Sequence, residues 1–504
     1  MTLARSKPLY AICNGVRSVA PYFHEYRTPF KERWRGKLAP QILQRELGQA
    51  EAAVRAAIES GHIYVTANNG KAGGPVSISG LAVYSHELRG HDIIHNLQHC
   101  HEPKIRISYK DTQREQAVES SKCEGGAGTL NHVHNIIQKY SMLRDSDEAN
   151  LIILGPAKSS DSSMINSSHR KTDSGILILY ESDTLVIISK PGGIPTHPGG
   201  IYRYNSMSEI IAHDLACSVW PCHRLDKSTL GVMVFAKNKT TSSEFMALFQ
   251  QKNDVEKWYV ARVRGKFPYE ACMYTCPLFT INTTNGYINV SNQLKTPTNS
   301  STEFHQIYYS SVHDYSIVLC RPVTGRMHQI RIHLRNLGHP IENDKLYNGK
   351  ESLNRMKNEI ELQIYSRIWD MFPAFARPKV LAEALSSEPN LDSGPTFGTA
   401  REAAGPDAHS EKTHHPSTIS LAEFMTPQIE KSMNELSALR SKRDAKTISG
   451  TCDECNRPLY NTDLEPDLGI WLHALALKWR QTGPSAALDP GLYFVAAPIP
   501  SWCV

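Results

Sequence analysis

A carboxylate stands between two cationic side chains in PCHRLDKSTLGVMVFAKN, residues 221–238. Asp226 has Arg224 and Lys227 as close neighbours, between a proline break and a strongly apolar run. Nearby positive charge favours the ionised form of a carboxylate. An ionised, well-positioned aspartate can serve as a nucleophile or a general base. By itself this pattern is more typical of a surface loop with ordinary ion pairs, so further features are needed to indicate catalysis.

A second cluster of cations is found in RPVTGRMHQIRIHLRNLGHPIENDKLY, residues 321–347. It combines four arginines and three histidines: Arg321, Arg326, Arg331, Arg335, His328, His333 and His339. The alternation in HQIRIHL predicts a β-strand with His328 on one face and Arg331 on the other. An arginine-rich face suits phosphate binding, although lysine and arginine also protect exposed sheet edges. The density of cations favours phosphate binding, with a solvated edge strand as the alternative.

Both spans resemble the two long signatures of the RluA-type pseudouridine synthases. HRLDKSTLG is similar to the first, and RPVTGRMHQIRIHL with GHPIENDKLY to the second. KWYVARVRG, residues 257–265, and ILYESDTLVIISKPGGIPTHPGG, residues 178–200, resemble two further motifs of that family. The segments PYFHEYRTPFKERWRG and CDECNRPLYNTDLEPDLGIWLHALALKW resemble extensions of its eukaryotic branch, which includes tRNA pseudouridine(32) synthases. Several motifs in the order that the family has them identify the family more specifically than any single motif does.

This resemblance implies an RNA pseudouridine synthase, an isomerase that requires neither an organic cofactor nor a metal. It implies that Asp226 is the catalytic carboxylate and that Arg331 pairs with it. It also implies that Tyr259 stacks on the flipped base and is suited to handle the proton at uracil C5. It assigns RNA contacts to three more residues: Arg224, which helps to expel the base, Arg326 and His328. Lys190, in the Lys-Pro-Gly loop, is also predicted to bind RNA phosphate, with capping of a strand as the alternative. A stacked uridine must be flipped out before any such reaction.

The substrate implied by the eukaryotic extensions is tRNA, with the anticodon stem-loop as the predicted target. The alternatives are a synthase that acts on ribosomal or messenger RNA and an RNA-binding protein without activity. An inactive protein is expected to have lost Asp226, Tyr259 or Arg331, and all three are present.

The elements around the motifs predict an α+β catalytic domain with a mixed, mainly antiparallel sheet. Two apolar runs around a polar turn in ILILYESDTLVIISKPGG predict paired strands, and SSEFMALFQQ predicts a helix between later strands. Few connections have the length that parallel crossovers require. Helical spacing over 38–58 and a turn at 68–70 predict a small helix-plus-hairpin unit of RNA-binding type near the N-terminus.

Changes in composition along the chain predict how it divides into domains, linkers and insertions. The predicted segments are a tail at 1–19, the RNA-binding-like extension at 20–109, a low-complexity linker or insertion at 110–173, the catalytic domain at 174–350, a disordered insertion at 351–451 and a C-terminal return of the catalytic domain at 452–504.

Overall composition narrows the class of protein. The 504 residues include 55 Lys+Arg and 50 Asp+Glu, and a net charge of +5 is too small to indicate a polyanionic partner by itself. No apolar run is long enough for a membrane span, and no secretory signal is recognisable. The 11 scattered cysteines indicate reduced intracellular thiols. We expect a monomer without a membrane partner, in the cytoplasm, with the nucleus and the mitochondrion as alternatives.

Cysteine and histidine patterns suggest a metal site only weakly. CDEC at 452–455 and HSE at 409–411 are similar to parts of a zinc nucleobase deaminase, but Thr451 stands where that pattern has proline. We therefore predict an incidental or structural CxxC. A histidine-rich segment has helical i, i+4 spacing: His91, His95, His99 and His101. We predict an exposed polar helix that ends in a turn at Pro103, with no bound metal.

Overall fold

The computed structural model of the chain describes residues 8–67, 74–107, 151–154, 170–251, 254–278, 294–295, 298–348, 356, 359–360, 363, 418–419, 426–445, 448–455, 457–460, 469–481 and 488–503. These residues form two compact units. The small unit comprises the described parts of Met1–Ala11, Ser18–Lys104 and Ile448–Asp463, and the large unit comprises those of Ile12–Arg17, Ile105–Thr447 and Leu464–Val504.

The strands are β1 (Tyr10–Cys13), β2 (Val16–Val19), β3 (Tyr22–Pro29), β4 (Ile63–Ala67), β5 (Val76–Ser79), β6 (Ile93–Cys100), β7 (Ile105–Arg106), β8 (Leu151–Ile153), β9 (Leu177–Glu181), β10 (Leu185–Lys190), β11 (Trp220–Pro221), β12 (Leu230–Ala236), β13 (Val255–Arg264), β14 (Ala271–Leu278), β15 (Leu294–Lys295), β16 (Thr298–Ser310), β17 (Tyr315–Pro322), β18 (Thr418–Ile419), β19 (Ile448–Thr451), β20 (Pro458–Tyr460), β21 (Leu472–Gln481) and β22 (Gly491–Ala496). The α-helices are α1 (Ala39–Arg45), α2 (Glu51–Glu59), α3 (Met207–Asp214), α4 (Lys239–Gln250), α5 (Gln329–Asn336) and α6 (Pro427–Ala445).

A four-stranded antiparallel sheet in the order β3–β6–β4–β5 forms the small unit. Apolar residues of α1 and α2, among them Ile42, Val54 and Ile58, pack with Val65 of β4 in one core. The predicted helix over 38–58 is two helices, because the chain turns between them. The predicted hairpin is present as β4 and β5, although its turn at 68–70 lies outside the described residues.

The histidine-rich segment is a strand, so our prediction of an exposed polar helix is wrong. β6 lies in the sheet between β3 and β4, and His95 is only 6% exposed. A separation of four residues is even, so it places two side chains on the same face of a strand as well as on one side of a helix. The i, i+4 spacing of His95 and His99 therefore fits both structures.

A mixed sheet of 11 strands forms the large unit, with β14–β16–β17–β13–β21–β12–β10–β9 as its main path. β11 pairs with β12, and β22 pairs with β21 and β8. The paired strands are antiparallel apart from β12 with β21 and β22 with β8. This confirms the predicted α+β fold with a mainly antiparallel sheet.

The centre of this sheet is buried on both faces. Val186 and Ile188 of β10 pack in one core cluster with α3, whereas Leu185 and Ile187 pack in another with Phe245 of α4. Strands covered on both faces have continuous apolar runs in place of an alternating pattern. The apolar run of β10 therefore follows from its position.

HQIRIHL forms helix α5, so the predicted strand at this place is wrong. Every residue of α5 is buried, which means that apolar side chains are found on several sides of the helix. Ile330, Leu334 and Leu337, at helical spacing i, i+4 and i+7, pack in one cluster. Ile332 lies outside that cluster, and its presence between Ile330 and Leu334 produced the alternation that is typical of a strand.

The two segments predicted as insertions contain regular elements. β8 lies within 110–173 and pairs in parallel with β22. α6 lies within 351–451, so predicted disorder is wrong for residues 427–445. Most other residues of these segments, including HSE at 409–411, lie outside the described residues. Within the predicted C-terminal return, residues 452–463 belong to the small unit and the following residues to the large unit. None of the described helices is long and apolar enough to span a membrane.

Candidate active site

A cavity of about 770 Å³ in the large unit is lined by the loop before β12 and by the segment that leads into α5. This volume is within the range of about 300–1,000 Å³ that is common for ligand pockets. The lining includes six of the predicted site residues: Arg224, Asp226, Tyr259, Arg326, His328 and Arg331.

Asp226 lies in the loop between β11 and β12, which hydrogen bonds hold in place. The N–H of Thr229 donates to the carbonyl of Asp226 at 3.1 Å and closes a turn. The hydroxyl of Thr196 donates to the carbonyl of Leu225 at 3.0 Å and accepts from its N–H at 3.3 Å. The backbone on both sides of the aspartate is therefore fixed, while its side chain remains 29% exposed.

Lys190 is buried, and our prediction that it binds RNA phosphate is wrong. Its side chain is 1% exposed. Its ammonium group donates to three carbonyl oxygens, those of Pro191 at 2.9 Å, Ile194 at 2.8 Å and Lys227 at 3.1 Å. Since Lys227 follows Asp226 directly, the lysine ties the Lys-Pro-Gly loop to the loop of the aspartate.

Gly231 allows β12 to approach β21 closely, just beyond Asp226. Its φ is +108°, and a Cβ there would lie 2.1 Å from the carbonyl oxygen of Ala474. The parallel pairing of the two strands consists of Leu230 with His473 and Gly231 with Ala474. A strand far away in sequence thus supports the loop that carries the aspartate.

Arg331 of α5 contacts two carboxylates. Its Nε and Nη2 donate to Asp344 at 2.7 and 2.9 Å, and its Nη1 lies 3.6 Å from Oδ2 of Asp226. Asp344 also accepts from the N–H groups of Leu346 and Tyr347. Burial alone would lower the pKa of Arg331, but the hydrogen bonds and charge of Asp344 raise it. The guanidinium therefore stays charged beside Asp226.

His328 approaches the same carboxylate from the residue before α5. Its Nε2 lies 3.7 Å from Oδ2 of Asp226, and its Nδ1 is 2.9 Å from the hydroxyl of Tyr347. Its backbone has a φ of +56°, in the left-handed region. The ring of Tyr347 also lies 5.0 Å from the guanidinium of Arg331. Tyr347 thus contacts both groups that face the aspartate.

Tyr259 enters the cavity from β13, between β17 and β21. Burial and the nearby charge of Asp226 raise the pKa of its phenol. The hydroxyl therefore stays protonated at neutral pH and can donate a hydrogen bond. The ring also packs against apolar residues of two core clusters.

Two arginines line the cavity with exposed side chains, Arg224 from the aspartate loop and Arg326 from the segment before α5. Burial, with the charge of Arg224, lowers the pKa of His197, another lining residue. Exposed guanidinium groups are suited to phosphate oxygens, which position a nucleic acid without reading its sequence. The cavity thus combines a carboxylate, a protonated phenol and cations.

Sequence reasoning assigned no role to Asp344, Tyr347 or Thr196. Asp344 and Tyr347 are part of the motif GHPIENDKLY, so their types were visible. An acid 13 residues after a buried arginine is a usable signal, because buried charges are almost always paired.

We compared the sequence with protein families and with known proteins. Residues 184–336, which include Asp226, Tyr259 and Arg331, match the RNA pseudouridylate synthase family. The tRNA pseudouridine(31) synthase of Saccharomyces cerevisiae is 29% identical over 352 residues, 66% of this chain and 72% of that protein. Human pseudouridylate synthase RPUSD2 is 27% identical over 512 residues, 98% of this chain and 74% of that protein.

A mitochondrial tRNA pseudouridine(32) synthase of Saccharomyces cerevisiae is 28% identical over 339 residues, 67% of this chain and 56% of that protein. The family match, the sequence motifs and the mainly antiparallel fold all point to the same family. Residues 184–336 of the chain belong to the RNA pseudouridylate synthase family.

Proposed function

We propose that this protein converts a specific uridine in the anticodon stem-loop of tRNA to pseudouridine, with Asp226 as the catalytic carboxylate. The observation that carries the proposal is the position of Asp226, partly exposed in a cavity and facing Arg331. Two of the similar proteins are named for pseudouridine at positions 31 and 32 of tRNA, which supports the substrate.

The reaction breaks the bond between N1 of uracil and C1′ of ribose and forms a bond from C5 to C1′. One proton leaves C5, one is found on N1, and nothing is oxidised. Asp226 adds to the base or the sugar, or removes a sugar proton, so that the first bond can break. Arg331 and His328 lie beside this carboxylate and orient it.

The base must leave the stack before it reaches the cavity, at a cost of a few kcal/mol. Arg224 and Arg326 bind the distorted backbone at the exposed side of the cavity. Tyr259 stacks on the flipped base. The resemblance also assigns to Tyr259 the handling of the proton at C5, and since burial and the charge of Asp226 raise the pKa of its phenol, the hydroxyl is protonated when the base enters the cavity.

The test uses tRNA from cells that lack the protein and a purified anticodon stem-loop transcript. Pseudouridine should disappear at one anticodon-loop position, and the pure protein should restore it. Asp226→Asn should lower the rate by about a thousandfold or more and leave RNA affinity within about threefold. Asp183→Asn, in the exposed turn between β9 and β10, is the matched control and should keep full activity.

Three outcomes contradict separate parts of the proposal. Full activity of Asp226→Asn would refute the role of the aspartate. Conversion of ribosomal or messenger RNA with no effect on tRNA would refute the substrate. Tight binding of tRNA by the wild type without any product would favour the inactive RNA-binding alternative.

A further inference from the structure

Four side chains with metal-binding atoms meet in the small unit, apart from the candidate active site. They are His99, His101, Cys452 and Cys455, and their ligand atoms all lie within 4.8 Å of one another. His99 belongs to β6 and His101 follows that strand, whereas the two cysteines lie in the turn between β19 and β20. Folding brings together residues that are 353 positions apart in the sequence.

The distances between these atoms match those around a tetrahedral ion. Sγ of Cys452 lies 3.6 Å from Nδ1 of His99, and Sγ of Cys455 lies 3.4 Å from Nε2 of His101. Zinc binds sulfur at about 2.3 Å and imidazole nitrogen at about 2.1 Å, so neighbouring ligand atoms in a tetrahedron are about 3.6 Å apart. The two sulfur–nitrogen pairs therefore have the length of a tetrahedron edge.

The surroundings of His99 are also those of a metal ligand. While its Nδ1 faces Cys452, its Nε2 lies 3.4 Å from a carboxylate oxygen of Glu454. Metal-bound histidines commonly donate their second N–H to a carboxylate, which fixes the ring and its tautomer. Phe23 stacks on the ring at 4.8 Å, and the His99 side chain is 8% exposed. The ring is held in place before any ion binds.

We propose that His99, His101, Cys452 and Cys455 bind one Zn²⁺ ion that fastens the β19–β20 hairpin to β6. Two thiolates and two imidazoles favour zinc over the hard ions magnesium and calcium. Four protein ligands fill a tetrahedral site, so no position is left for a reactive water. The ion is structural, unlike that of a deaminase, and it corresponds to the structural form of the CxxC that we predicted as incidental or structural.

The first test is the metal content of the full-length protein, purified without chelators and measured by inductively coupled plasma mass spectrometry. The wild type should contain about one zinc per chain, as a closed four-ligand site requires. The double variant Cys452→Ser/Cys455→Ser should contain none. Cys13→Ser, which removes an exposed cysteine elsewhere, is the matched control and should keep the ion.

The second test uses cobalt in the wild type, so it stands even if the double variant fails to fold. After chelation and addition of Co²⁺, the protein should show the thiolate-to-cobalt absorption and the intense visible bands of a tetrahedral site. Chelation should also make the β19–β20 hairpin more accessible to protease, because metal binding is coupled to folding.

Three results would overturn the proposal. One is substoichiometric zinc in the wild type together with a cobalt titration that gives no thiolate band. Another is a Cys452–Cys455 disulfide in unreduced peptides of the freshly purified protein. Zinc retained in full by a folded double variant would likewise exclude these cysteines as ligands.

Discussion

Arg331 divides its hydrogen-bonding groups between a buried acid and a partly exposed one. Asp344, 1% exposed, takes Nε and Nη2, and Asp226, 29% exposed, faces Nη1. A bidentate contact fixes the plane of a guanidinium in a way that a single contact does not. Asp344 is therefore a positioning residue, because it fixes the orientation of the Arg331 guanidinium that faces Asp226.

Replacing Asp344 with asparagine should separate positioning from catalysis. We expect kcat to fall by about 10- to 100-fold with little change in KM, in line with the loss of an outer partner at other sites. Unfolding free energy should fall by about 3 kcal/mol, because Arg331 stays buried without its full counter-charge. Steady-state kinetics and denaturant unfolding measure the two effects.

The control for this variant is Glu342→Gln. Glu342 pairs with Arg262 at 2.7 Å on a partly exposed surface, where an ion pair contributes at most about 1 kcal/mol. It should retain wild-type kcat. If Asp344→Asn were as active as this control, the position of Arg331 would not depend on Asp344.

Sequence patterns predicted the residues that line the cavity more successfully than they predicted whether a polar side chain is buried. Arg224, Asp226 and Tyr259 line it as expected. Lys190 does not, because residue type reveals a cation but not whether carbonyl oxygens or water surround it. Three carbonyls around one ammonium, from different loops, depend on the folded backbone.

Arg331 lies in the first turn of helix α5 and His328 is the residue just before that helix, and both face Asp226. In a strand, an odd separation would have put the two side chains on opposite faces. The strand that we predicted would have kept one of them away from Asp226. The helix was hard to predict because all of its residues are buried, so polar and apolar positions do not mark two faces.

The junction between β12 and β21 should be intolerant of a side chain. Gly231→Ala combines a positive φ with a Cβ placed 2.1 Å from the Ala474 carbonyl oxygen, so one strand must move. Gly338→Ala, at φ +85° with open space around it, isolates the cost of the backbone angle, about 1 kcal/mol.

We expect Gly231→Ala to lower the unfolding free energy by about 3 kcal/mol or more, well beyond the control, since the contact adds to the angle. Thermal and denaturant unfolding of both variants measure the difference. Equal losses would mean that the two strands can separate at no cost.

Buried histidines make the large unit sensitive to acid as a whole. Burial lowers the pKa of His223 and His333 to about 3 and that of His473 to about 4. In the unfolded chain a histidine has a pKa of about 6.5. Between these values the unfolded state binds protons that the folded state excludes, so stability falls as the pH drops below about 6.5.

His333→Gln should weaken this dependence. His333 is hydrogen-bonded to the hydroxyls of Ser300 and Thr302, which glutamine can also contact. Each such histidine removes about 1.4 kcal/mol per pH unit, so the variant should lose about 2 kcal/mol less than the wild type between pH 7 and pH 5. Unfolding free energies across this range measure the difference.

His313→Gln, in an exposed turn between β16 and β17, is the control and should follow the wild type, because its side chain stays in water when the chain folds. Parallel pH curves for wild type and His333→Gln would show that His333 is not held neutral.

The position of β21 at the centre of the large sheet has a consequence for synthesis. β21 joins β13 to β12, yet roughly 120 residues separate it from the end of the cavity-forming motifs at Asn348. The ribosome adds about 5–20 residues per second, so on the order of ten seconds pass before β21 is synthesised. Until then, β12 and β13 belong to two separate halves of the sheet, and each has an unpaired edge. Chaperones that cover strand edges are thus expected to associate with the growing chain during this interval, and translation that stalls before residue 472 leaves the halves unjoined.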